Sequence, residues 1–98
     1  MIIFKRIDPA RHMARWYCID LTVDLFGQPA LYRAWGSRST TYQHVRCDPF
    51  PSAEQAVSAA QKIIARRSQH GYQEVYNDHT IPNDEGASHA LRSIAAQV

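Results

Sequence analysis

The chain has little of what marks a disulfide scaffold, a membrane protein or an enzyme. Only two of its 98 residues are cysteine, Cys18 and Cys47, too few for a cross-linked framework. No apolar run approaches the roughly 20 residues of a membrane span. Charge arrives at Lys5-Arg6, too early for a signal-peptide core. The expected compartment is therefore the cytoplasm, with both thiols reduced and packed as small residues. The five histidines, His12, His44, His70, His79 and His89, lack metal-ligand spacing, and no CxxC or HExxH occurs; no metal is expected. A glycine-rich phosphate loop, a dinucleotide fingerprint and a nucleophile elbow are also missing, so neither a cofactor nor catalysis is expected. Asp20 and Asp24 share one side of a strand and read as surface charge, not as an acid/base pair.

What is present is an ordinary single-domain length and balance, 45% hydrophobic and 20% charged. The charge is uneven. Residues 1–72 hold ten basic and five acidic residues, net +5. Residues 73–98 hold Arg92 against Glu74, Asp78, Asp84 and Glu85, net −3. Nine of the eleven cations are arginine. A basic body is compatible with a polyanionic partner without requiring one. Residues 77–98 read as an acidic extension to a domain of residues 1–76.

Residues 2–7 alternate loosely as a strand, and Asp8–His12 reads as a turn. Over residues 16–25, Tyr17, Ile19, Leu21, Val23 and Leu25 alternate with Trp16, Cys18, Asp20, Thr22 and Asp24. This is the period of a half-buried strand, and it places Cys18 on the more polar side. Gly27-Gln28-Pro29 turns the chain into a strand over 30–36, completing a hairpin. A third strand runs from Thr40 to Cys47 and is stopped by Asp48-Pro49-Phe50-Pro51. Ser52 and Gln55 make a capping box, followed by Ala53, Ala56, Val57, Ala60, Ile63 and Ile64 as an apolar helical stripe. Lys62, Arg66 and Arg67 suit the end of that helix, and Gly71 the position just past it. Tyr72–Tyr76 reads as a closing strand, Asn77–Gly86 as turns and Ser88–Val98 as a short helix. The expected fold is α+β: a twisted, mostly antiparallel sheet of four to five strands with one main helix packed on it.

Several of these pieces together resemble the WGR domain, found in poly(ADP-ribose) polymerases and in small bacterial proteins. They are Asp24-Leu25-Phe26-Gly27, Leu31-Tyr32-Arg33-Ala34-Trp35-Gly36, Phe50-Pro51-Ser52 with Glu54 and Ala56, and the helix end Arg67-Ser68-Gln69-His70-Gly71-Tyr72. Their order is that of the bacterial branch, over about residues 15–74. The resemblance implies a sheet with one helix on a face, with Gly27, Gly36, Ser52, Gly71 and Tyr72 as structural positions. It also implies recognition of DNA strand breaks, with Trp35 against a sugar and nearby basic residues on phosphate or on neighbouring domains. The transferase activity of the polymerases resides in a separate domain and is not implied. Where the family reads Trp-Gly-Arg-Ile-Gly-Thr, this chain reads Trp35-Gly36-Ser37-Arg38-Ser39-Thr40. Its arginine comes one position late, which in an extended segment is the other face.

The candidate nucleic-acid-binding residues are Trp35, Arg33, Arg38, Arg46, Lys62, Arg66 and Arg67. Trp35 suits either an aromatic platform or a sheet-face aromatic with its indole N–H bonded locally. Trp16 reads as structural. Arg33 shares the side of its strand with Trp35 and suits either phosphate or an ion pair with Asp20 or Asp24. The helix cations suit either phosphate or compensation of the helix dipole. The expected function is a non-catalytic module binding DNA (or RNA) at ends or breaks with low sequence specificity. The alternative is a protein–protein interaction module using the sheet face around Trp35, since Trp and Arg also dominate protein interfaces.

Overall fold

The computed structural model describes residues 1–82, so the Ser88–Val98 helix expected from the sequence lies outside the described residues. The strands are Ile2–Asp8 (β1), Met13–Val23 (β2), Pro29–Ser37 (β3), Gln43–Pro49 (β4) and Gln73–Asn77 (β5), and the helix Ala53–Gln69 (α1) precedes β5. They form one antiparallel sheet in the order β4-β3-β2-β1-β5, so the fold is α+β with five strands and one main helix. A short 3-10 turn, Pro9–Arg11, joins β1 to β2.

Period two explains which face is covered. Ile2, Phe4, Tyr17, Ile19 and Leu31 point to one side and are at most 5% exposed. They meet Ala60 of α1 and Ile81, with Ile63, Ile64, Phe50, Trp35 and Tyr72 packed around them. Ala56 and Ala60 are fully buried, and their small side chains let the helix lie close on β2 and β3. The Ser52 hydroxyl accepts from the Gln55 backbone N–H at 3.2 Å, which is half of the expected box. Gly71 ends the helix at φ +83°, a conformation that costs glycine little.

Several expectations need correction. β2 ends at Val23, two residues early, because the Asp24 carboxylate accepts from the N–H groups of Phe26 and Gln28, both at 2.9 Å, and closes a turn. Leu25 is consequently 100% exposed. β4 starts three residues later than expected and runs on through Pro49, which pairs with Ala30; as an edge strand it tolerates a missing N–H. Cys18 lies on the register of Trp16 and Asp20, as expected, and is nevertheless buried. Burial, with the Asp20 charge, pushes its thiol pKa up, which suits inert packing. Cys47 is exposed on β4, with β3 between the two thiols.

The register also sorts charge by end. Arg6, Arg11, Arg15 and Arg38 lie where β1 meets the start of β2 and β3 finishes, and Arg66 and Arg67 end α1 beside them. Asp20, Asp24, Asp48, Glu54 and Asp78 gather toward the opposite end. There the Met1 ammonium lies 2.6 Å from Asp78 and 3.1 Å from Asp20.

Candidate functional site

At the arginine-rich end, the helix-covered face opens into a cavity of about 530 Å³ lined by Arg15, Tyr17, Arg33, Trp35, Ser37, His44, Arg67 and Tyr72, among others. The ladder explains its aromatic floor. Tyr17, Trp35 and His44 are consecutive partners across β2, β3 and β4, and their rings stack in a row. Tyr17 lies 5.8 Å from Trp35 at 14°, and His44 lies 5.4 Å from Trp35 on the other side at 15°. Trp35 is therefore flanked on both sides, half-buried, and presents its edge. Tyr72 meets Tyr17 edge-on at 6.3 Å.

Guanidinium groups stand over this floor. Arg67 reaches from the last turn of α1 to 4.9 Å from the Tyr17 ring and 5.5 Å from Tyr72. Arg33 lies 5.8 Å from the Trp35 ring. Such contacts hold a cation in place over the ring. The Nε atoms of Arg33 and Arg67 are buried without a hydrogen-bond partner among the described residues, so both side chains are positioned by packing as much as by polar contact. Arg33 also donates to Asp48 at 3.2 Å and to the Tyr17 hydroxyl at 3.5 Å. Where an ion pair was one of the alternatives for Arg33, its partner is Asp48 and not Asp20 or Asp24. Burial opposes the Arg33 charge, but the Tyr17 hydroxyl and Asp48 outweigh it and raise its pKa. Burial likewise opposes the Asp48 carboxylate, and hydrogen bonds from Arg46 and Arg33 outweigh it, holding the carboxyl below its usual range.

The structure brings together three of the seven candidates, Arg33, Trp35 and Arg67. Arg46 stands beside them but is held by Asp48, its Nε donating to both carboxylate oxygens at 3.0 and 2.9 Å. Arg38 begins the turn after β3; its N–H donates to the Ala14 carbonyl at 2.8 Å and its side chain is exposed. Ser37, not Arg38, lines the cavity, as period two requires. Lys62 and Arg66 are exposed and do not line it. Sequence reasoning did not find Tyr17, His44 or Arg15 as site residues. The signal for Tyr17 was its place on the alternating side of β2; the other two needed the register.

Among the described residues no group of three metal-ligating side chains occurs, and no helix is long and apolar enough to cross a membrane. The profile of the WGR domain matches residues 1–79. An uncharacterized protein, y4dW, of Sinorhizobium fredii is 34% identical over 68 residues, covering 69% of this chain and 33% of the relative. The chain thus spans about a third of that curated relative's length. No solved structure matches significantly.

Proposed function

The chain belongs to the WGR domain family, and from that premise we propose that it is a non-catalytic nucleic-acid-binding module that recognises DNA ends or breaks with low sequence specificity. One observation carries this reading: Arg15 and Arg67, with Arg33 held by Asp48 beside them, converge with the row Tyr17–Trp35–His44 on an open cavity that no carboxylate lines among the described residues. Arginine offers charge-assisted, bidentate contacts to phosphate, and an aromatic edge or face accepts a sugar or base whatever its sequence. A broken end suits the site better than a continuous duplex, because only a terminus exposes a sugar and a base face to a half-buried ring. Among the described residues no helix projects from the sheet as a groove-reading element would, which fits contacts that position without specifying.

The test is fluorescence anisotropy with blunt, nicked and single-stranded DNA across a salt series. It compares the wild type with Trp35→Ala and Arg67→Gln, each checked by its melting midpoint. About three phosphate contacts give a log–log salt slope near −3. The expected result is tighter binding to nicked and blunt DNA, with that slope. Arg67→Gln should reduce the slope by about 0.9, and Trp35→Ala should remove the preference for ends. A wild type that binds no DNA at low salt overturns the reading. A nearly salt-independent partner protein captured on the same face would point to the interaction-module alternative instead.

A further inference from the structure

Two pairs of arginines face each other across this sheet, and among the described residues only one is neutralised. Arg33 and Arg46 are direct partners on β3 and β4, a like-charge juxtaposition that destabilises a sheet. Asp48 relieves it by accepting from both. Arg6 and Arg15 are direct partners on β1 and β2, and no salt bridge reaches either of them among the described residues. Asp8, on the same side of β1, is taken by Arg11 at 3.5 Å. Arg6 has a partial substitute, since its Nε lies 3.5 Å from where a Cβ on Gly71 would stand, just past the C-terminus of α1, where the helix dipole favours a cation. Arg15 has neither carboxylate nor helix end among the described residues.

The same ladder row continues to Ser37, the direct partner of Arg15 on β3. Arg15 and Ser37 line both the main cavity and a smaller adjoining one of about 180 Å³ that also takes in His12 and Ala14. Ser37 stands where the family motif has arginine. A guanidinium at position 37 would occupy the row that Arg15 already serves from the neighbouring strand.

We infer that Arg15, beside a Ser37 whose hydroxyl is engaged by Ser39 and the Ala14 carbonyl, forms a phosphodiester-binding subsite that bridges the two cavities and supplies from β2 the positive charge absent at position 37. This rests on the proposed nucleic-acid function and assigns its phosphate contact. The bound strand then runs from the Trp35 edge across Arg15 toward the 3-10 turn.

The experiment measures the salt slope of nicked-DNA binding for the wild type, Arg15→Gln, Arg46→Gln and the exchange Arg15→Ser with Ser37→Arg. Arg15 is exposed, so the melting midpoint should hold. The expected results are a slope reduced by about 0.9 in Arg15→Gln, an unchanged slope in Arg46→Gln, and restoration by the exchange. An unchanged slope in Arg15→Gln, while Trp35→Ala still removes the preference for ends, overturns this subsite and leaves the proposed function standing. An exchange that fails to restore the slope overturns the equivalence of positions 15 and 37. A wild type that binds no DNA overturns the function itself.

Discussion

At the scale of single residues, the Trp35-Gly36 pair divides its duties between the two sides of β3. Trp35 faces the cavity, and Gly36 faces the other side, directly opposite Trp16. A Cβ at Gly36 would stand 3.0 Å from the Tyr42 carbonyl oxygen and 3.2 Å from the Trp16 indole nitrogen. The glycine is thus required by a close approach of backbone and indole, not by an unusual φ. Gly36→Ala should destabilise the fold by about 1–3 kcal/mol through overpacking, read as a lowered midpoint in urea. A midpoint equal to the wild type would show that the 38–42 turn moves aside freely. This scale also shows what was legible in the sequence. Arg33, Trp35 and Arg67 could be nominated from residue type and motif. Arg15 and His44 could not, because their place beside Trp35 depends on which residue faces which across the ladder. Arg46 looked equivalent to Arg33 until its strand placed Asp48 within reach of both.

At the scale of elements, strand and helix identities were written in periodicity, and boundaries were not. Alternation identified β2, but it cannot tell a strand residue from an apolar residue at a turn tip, so Leu25 read as buried when Asp24 had already closed the turn. Cys18 was placed on the correct side, that of Trp16 and Asp20, but its burial depends on neighbouring side chains that alternation does not show. The helix was easier, since its cap, apolar stripe and terminal glycine all agree. That cap is testable. Ser52→Ala removes the acceptor for the Gln55 N–H and should cost about 1 kcal/mol, a fall of about 4–8 °C in melting midpoint for a domain of this size. DNA binding at a temperature well below the transition should be unaffected, because Ser52 begins the helix at the end remote from Arg67.

At the scale of the whole molecule, the acidic end governs the response to pH. Hydrogen bonds from the Met1 ammonium, and then from Thr80, lower the Asp78 pKa to about 2, and Asp48 is lowered by its two arginines. A carboxyl depressed in the folded state contributes stability that is complete above its ordinary value near 3.8 and is lost as pH falls through the folded value. The urea midpoint should therefore be level from pH 7 to about 5 and decline below about 4, and Asp78→Asn should flatten part of that decline. A midpoint that holds steady down to pH 2.5 would refute the linkage. The same separation of charge has a kinetic meaning. Among the described residues, most arginines lie toward one end of the strands and most carboxylates toward the other, so the described part of the domain carries an electric moment along the strand axis. A polyanion nearby exerts a torque on that moment as well as a pull on the net charge. In the proposed binding to nucleic acid, that torque would turn the cavity toward the polyanion before contact and shorten the rotational search that ordinarily slows association.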